Sequence, residues 1–338
     1  MIKTILNIIL ILSFFVFGDV FSQDVHLSQF FNNDHYLNPS KIGDHEGDFR
    51  ITSNYRSQWR QVTGDALTTS MVAFDKSFFY FTHEFDGGVY FVRDQFSGYK
   101  TNVTSFLVSG AYTYRIKGYK IRAGIQTGLV SKSTNLHDQT FPAQWEYSSG
   151  TFDKSIYNQE SNINPSQMFW DLNLGFKSEK RFGKYLTHFG LAFNHLNRPK
   201  DTYFNQFAER LRVRKVVHGD IDIPLNNRWL LSPKFSWMFT TKVNELLIGS
   251  NINYKTNNAI ISKLYTGVFY RHGIVRNVDA IYPVAGLTYK QFDLAVSYDV
   301  NISSLSLYVK RLKSVEFSLI YTAKSKKMKY KIIPCNRL

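Results

Sequence analysis

The chain has 338 residues, with 41 Lys plus Arg against 26 Asp plus Glu for a formal charge of +15, and 16% of its residues are aromatic. A single cysteine, Cys335, excludes an internal disulfide framework. The positive charge raises nucleic-acid binding, but no recognisable module presents a basic face, and beyond residue 22 no apolar run approaches the roughly 20 residues a membrane helix needs.

In chain order, Met1 and Lys3 give a positive start, Ile5 to Phe17 is an apolar stretch, and Val20, Phe21 and Ser22 supply a cleavage region. This pattern is a signal peptide over 1–22, with the mature chain beginning near Gln23. No Cys follows the cleavage region, so lipoprotein anchoring has no support. Residues 23–47 are expected to form an N-terminal periplasmic segment, followed by a barrel over 48–324 and a basic periplasmic tail over 325–338. The sequence leaves open whether a loop or the segment from Gln23 to Gly47 folds inward and plugs the lumen.

From residue 48 onward a two-residue alternation recurs. It is cleanest in Phe292, Leu294, Val296, Tyr298, Val300 and Ile302, which are separated by Asp293, Ala295, Ser297, Asp299 and Asn301. Side chains of a strand alternate between faces, so such a segment has one greasy face and one polar face. Phe49, Ile51, Tyr55 and Trp59 repeat the pattern against Arg50, Thr52, Asn54, Arg56, Gln58 and Arg60, as do Val315, Phe317, Leu319, Tyr321 and Ala323. A soluble sandwich also alternates, but its domains run near 100 residues, whereas this pattern continues without a linker. An exported, alternating, aromatic chain without membrane helices is expected to be all-β, a transmembrane antiparallel β-barrel of about 14 strands in the outer membrane.

The expected strands lie near 48–59, 66–75, 87–94, 102–115, 120–131, 168–178, 185–195, 212–221, 229–240, 244–255, 259–271, 277–289, 291–302 and 314–324. The longest connections, Lys132 to Gln167 and Leu196 to Leu211, follow odd-numbered strands, and tight turns at Ile116 to Tyr119, Thr256 to Asn258 and Lys290 follow even-numbered ones. Such barrels keep short turns on the periplasmic side, so both chain ends are expected there. The stretch from Lys76 to Asp86 is long for that side, and its run Phe78, Phe79, Tyr80, Phe81 suggests longer neighbouring strands.

Lys or Arg facing lipid at midplane costs roughly 2 to 4 kcal/mol, so Arg50, Arg56, Arg60 and Arg122 are expected to face the lumen. A basic lumen raises the alternative of an anion-preferring diffusion channel. The tail carries Lys324, Lys326, Lys327, Lys329, Lys331 and Arg337 without an acid, which suits either an acidic partner or a solvated end.

Chemistry motifs are scarce. His26, His35 and His45 lack the short spacing of zinc sites, and His188, Asn194 and His195 have no serine in a diagnostic Gly-x-Ser-x-Gly setting. The chain is therefore expected to be non-enzymatic, without metal or cofactor.

Ser28-Gln29-Phe30, Tyr36-Leu37-Asn38-Pro39, Gly43 and Tyr55-Arg56-Ser57-Gln58-Trp59, in that order, resemble the opening of the PorP/SprF family of type IX secretion membrane proteins. Gly190 to Pro199, which holds His195 and Arg198, is similar to its middle segment, and Glu316 to Tyr321 to its closing strand. Ile333-Pro334-Cys335 is similar to the tail of the branch associated with gliding adhesins. The resemblance implies an outer-membrane barrel that assists secretion or surface retention of a large adhesin-like protein with a C-terminal sorting domain. It also implies contact with periplasmic type IX or peptidoglycan-associated components. Tyr55, Arg56, Gln58, Trp59, His195 and Arg198 are its candidate partner-binding or structural residues, with Tyr55 and Trp59 also suited to the membrane interface.

Overall fold

Residues that alternate in polarity turn their apolar face outward and bury their polar one. Ile51, Tyr55, Val72, Phe74, Leu294 and Val296 are exposed, whereas Arg50, Thr52, Asn54, Asp75, Ser297 and Asp299 are buried. A soluble domain does the reverse. The computed structural model describes residues 26–324 except 61–65, 82, 97–100, 136–139, 158–165, 202–209, 242–243, 274–276, 304–305 and 307–312. The expected signal peptide and the tail with Cys335 lie outside the described residues.

The strands are β1 (Phe49–Gln58), β2 (Leu67–Tyr80), β3 (His83–Phe96), β4 (Thr101–Ile116) and β5 (Tyr119–Thr134), then a small hairpin of β6 (Trp145–Glu146) and β7 (Thr151–Phe152). After these come β8 (Ser166–Phe182), β9 (Tyr185–Asn194), β10 (Arg214–Pro224), β11 (Trp229–Phe239) and β12 (Asn244–Lys255). The chain closes with β13 (Ile261–Gly273), β14 (Asn277–Tyr289), β15 (Phe292–Asn301) and β16 (Lys313–Thr322). Among the described residues, every strand but β6 and β7 joins one closed antiparallel barrel of fourteen strands in sequence order. The ring closes between β1 and β16, with Arg50 opposite Thr322 and Gln58 opposite Ser314. Closure leaves no edge to expose unpaired backbone in hydrocarbon.

Long connections gather at one end of the barrel and tight turns at the other. The stretch from Lys76 to Asp86 is largely strand, since β2 runs to Tyr80 and β3 begins at His83. The wall is uneven in height: β2, β3, β4, β5 and β8 have 14, 14, 16, 16 and 17 residues, whereas β9, β15, β16 and β1 have 10 each. The outward face carries an apolar groove of about 840 Å³ lined by Tyr55, Trp229, Ile252, Leu264, Leu294 and Phe317.

The segment expected in the periplasm is instead inside the barrel from His26 on. It is built of single turns at Phe30–Asn32, Asp34–Leu37 and Pro39–Lys41. Asn38 caps the last of these, its Oδ1 accepting from the Ser40 N–H at 2.9 Å and the Ser40 hydroxyl at 2.7 Å. Phe30 and Leu37 pack with Val216, Leu247, Phe269 and Tyr282 of the wall, and Leu27 packs with Met71, Ala73 and Tyr90. Each such apolar side chain contributes about 1.5 to 3 kcal/mol on burial. This plug, rather than a core between sheets, is what the inner face packs against.

Candidate functional site: the plug, its seat and the mouth above it

Three groups of buried contacts hold the plug. The first is near the long-connection end, where Arg56, 1% exposed, donates to Asp299 at 2.8 Å and to Glu316 at 3.0 Å. Arg271 donates to the same Asp299 at 2.9 Å. Glu316 accepts the backbone N–H of Ser28 at 2.7 Å and of Gln29 at 3.1 Å, while the Ser28 hydroxyl reaches Asp299 at 2.8 Å. Both arginines also donate to that hydroxyl. Charge-assisted bonds in a site closed to water are the strong ones, and here each carboxylate has a cation and a plug donor.

Midway down, Asn38 donates to the carbonyls of Phe176 at 3.0 Å and Leu191 at 3.1 Å, bridging β8 and β9. It fits because Gly175 has no side chain: a Cβ there would lie 1.9 Å from the Asn38 Oδ1. Gly124 makes the same concession on β5, where a Cβ would meet the Pro39 carbonyl at 2.5 Å. Arg50 holds Asp34 at 2.6 Å and Asp75 at 2.9 Å, and Lys41 approaches Asp34 at 2.5 Å. Burial alone would raise the Asp34 carboxyl, but Lys41 and Arg50 hold it below the usual carboxylate range.

At the tight-turn end Arg122 donates to the Ser40 carbonyl at 2.8 Å, to the Ile42 carbonyl and to Asp86 at 2.7 Å. Gly43 donates its N–H to Asp75 at 2.6 Å, with φ of 75°, a conformation that favours glycine. Asp44 pairs with Lys120 at 2.5 Å and with Lys177. Against the upward push of burial, Lys177, Arg122 and Lys120 drive its carboxyl far below the usual range.

Above the plug, the long-connection end holds a cavity of about 100 Å³ lined by Tyr36, Tyr90, Asp94, Lys132, His195 and Arg214 among others. Arg214 stacks 4.8 Å over the Tyr36 ring and donates to its hydroxyl at 2.9 Å, so the plug forms part of the floor. The mouth can offer mixed charge and aromatic faces to a ligand. Among the described residues no cluster of His, Cys, Asp or Glu could hold a metal.

Of the residues singled out from sequence, Arg50, Arg56 and Arg122 are buried on the inner face in these groups. Arg60 is a correction. It lies past the last residue of β1 and is exposed, because Trp59 has φ of 56° and breaks the alternation. Trp59 donates its N–H to the Lys313 carbonyl at 3.0 Å and ends the strand. Tyr55 faces outward at 45% exposure, and Gln58 is half-buried. His195 and Arg198 lie in the connection after β9, both with positive φ. His195 sits 2.9 Å from Asp171 and lines the mouth, while Arg198 is exposed. His26, His35 and His45 do not converge on a common point: His26 meets Glu245 at 2.7 Å, and the other two approach Asp75.

The acids of the seat, Asp75, Asp86, Asp299 and Glu316, and the cation Arg271 escape a search for catalytic motifs. The alternation marks most of them, since each is polar among outward apolar neighbours. Asp86 is hidden because the strand containing it extends into an expected connection.

A family model described as type IX secretion system membrane protein PorP/SprF matches residues 19–321. No curated protein matches the chain. Among solved structures, the CymD monoaromatic hydrocarbon channel is similar over 88% of this chain and 94% of its own, with 9% identity and a TM-score of 0.53. A Pseudomonas aeruginosa FadL homologue is similar over 84% and 92%, with 12% identity and a TM-score of 0.52. At such identities the likeness is one of fold, an outer-membrane β-barrel.

Proposed function

Because the chain belongs to the PorP/SprF family of type IX secretion system membrane proteins, we propose that this outer-membrane barrel is a non-catalytic partner of that machinery, assisting secretion or surface anchoring of a large adhesin-like protein with a C-terminal sorting domain. The observation that carries the reading is that residues 26–47 occupy the lumen through contacts made by the family-like motifs themselves. Ser28, Gln29, Asn38, Gly43 and Arg56 are all plug or seat residues. A motif spent on holding a plug marks a barrel whose work is done at its ends and membrane wall, where loops meet partners. The same contacts remove the motive for an anion channel, since Arg50, Arg56 and Arg122 already have carboxylate partners.

In this reading the long connections face the cell exterior. The connections of residues 135–165 and 195–213, with His195 and Arg198, are the side offered to cargo. The tight-turn end and the basic tail are the side offered to periplasmic type IX or peptidoglycan-associated components. Deleting the gene leaves bulk growth and small-solute uptake intact while one large surface protein disappears from surface-shaved peptides. Unchanged surface proteins with reduced solute uptake would sink the proposal.

A further inference from the structure

We infer that the apolar groove on the outer wall holds a phospholipid of the periplasmic leaflet, its acyl chains in the groove and its phosphate on Arg228 and Lys255. The choice of leaflet rests on the reading above that the tight turns face the periplasm. The site itself rests on the wall.

Strand register explains the groove. Across β11 to β16, Trp229, Tyr254, Leu264, Leu287, Leu294 and Leu319 stand opposite one another in a single row of outward side chains. The next row away from the tight turns runs through Ile252, Thr266, Ala285, Val296 and Phe317 to Tyr55. Its middle is shallow, because Thr266 and Ala285 are small and face each other across β13 and β14. Its ends are tall. Trp229 and Tyr254, with rings 4.7 Å apart, stand at one end, and Phe317 and Tyr55 stand at the other. The Thr266 hydroxyl donates to the Val284 carbonyl at 3.0 Å, so its polar atom is spent on the wall and the recess is apolar.

The groove also climbs. Trp229 is the first residue of β11 and Tyr254 the last but one of β12, both at the tight-turn end, whereas Tyr55 lies past the middle of β1. A chain laid along it starts at the membrane interface, beside the aromatic pair, and ends in the hydrocarbon, which is the path of an acyl chain. Its surroundings are the apolar belt of a membrane barrel, so hydrocarbon is what fills it.

The lower end selects the head group. Arg228 and Lys255 are exposed there and adjacent, the Arg228 carbonyl accepting the Lys255 N–H at 2.8 Å. Neither has a carboxylate partner among the described residues. The next cation along, Lys263, opposite Lys255, is already paired with Asp293 at 3.0 Å. Two unspent cations flanking an aromatic pair suit a phosphate, which takes charge-assisted bonds from both. The lipid anchor of a lipoprotein would fill the groove but bring no phosphate to this pair.

The test uses the full chain, expressed in the outer membrane of a Gram-negative host, extracted in mild detergent and checked for folding by heat-modifiable migration. Native mass spectrometry of the wild type is expected to show a retained phospholipid. Ala285→Phe and Thr266→Phe, each of which fills the floor, should lose it. Ala123→Phe, exposed on the outward face of β5, should keep it. After delipidation, dioleoyl phosphatidylglycerol is titrated back, and the double variant Arg228→Gln, Lys255→Gln should bind about tenfold more weakly, as the loss of a charge-assisted contact requires. A wild type that neither retains nor rebinds phospholipid, or retention unchanged by both fillings, overturns the site. Loss on filling with unchanged affinity in the double variant overturns the phosphate assignment. Lipopolysaccharide in place of phospholipid overturns the orientation, and the proposal with it. The lipid measurements are independent of cargo secretion, so the groove and the proposed function fail separately.

Discussion

Arg56 stands between Asp299 and Glu316 and touches the plug through Ser28. Removing one partner of a buried ion pair leaves a charge without compensation, at a cost of about 3 to 5 kcal/mol. Arg56→Ala is therefore expected to destabilise the detergent-solubilised barrel by about that amount, read as a lowered temperature of heat-modifiable migration. Tyr55→Ala, one residue away on the outward face, should stay within about 1 kcal/mol. Titration gives a second expectation. The Asp34 and Asp44 carboxyls lie below their ordinary values in the folded protein, so both carry more protons in the unfolded chain as pH falls. Their stabilisation is present above about pH 4 and is lost as pH drops through the folded values. His26 runs the other way: Glu245 beside it raises the imidazole, so its contribution is complete below about pH 6.5 and fades as pH rises through the folded value. Histidine NMR of His26 with and without Glu245→Gln checks this, the expected result being a lower midpoint in the variant. At this scale the sequence is legible where period two holds, as at Arg50 and Arg122. It fails at Arg60, where one residue with positive φ ends the strand.

Elements show the same division. Long alternating runs such as those of β4, β5 and β15 are readable because each strand repeats one simple signal many times. The ends of β2 and β3 are harder, since the aromatic stretch from Phe78 to Phe81 has apolar residues on both faces. The plug is not readable as structure at all. Its turns span three or four residues, too short for any period, and its partners lie as far as 289 residues away along the chain, as Gln29 and Ser318 do. What the sequence does offer is a density of motif before the first strand. Because the plug is a separate element seated on the inner wall, deleting residues 26–47 should convert a silent barrel into a conducting one in planar bilayers. Equal conductance of the two forms would mean that the plug does not block the lumen.

At the scale of the whole molecule, closure and plug depend on each other. The plug precedes β1 directly, and the β1–β16 seam carries Arg56 and Glu316 on its inner face. A seam whose facing residues both grip the plug is best formed around it. The formal charge of +15 misleads at this scale, because the inner cations Arg50, Arg56, Arg122 and Arg271 are each paired with acids of the wall. The uneven wall has its own result. A membrane strand needs about 9 to 11 residues, which β9, β15, β16 and β1 just meet, whereas β8 exceeds it by six or more, roughly 20 Å along the strand. On β8 the outward positions are apolar from Met168 to Phe176 and turn polar at Ser178 and Lys180, so the surplus residues stand in water beside the membrane. One flank of the cylinder therefore projects beyond the bilayer where the other does not, and gives a neighbouring protein a preferred side on which to settle.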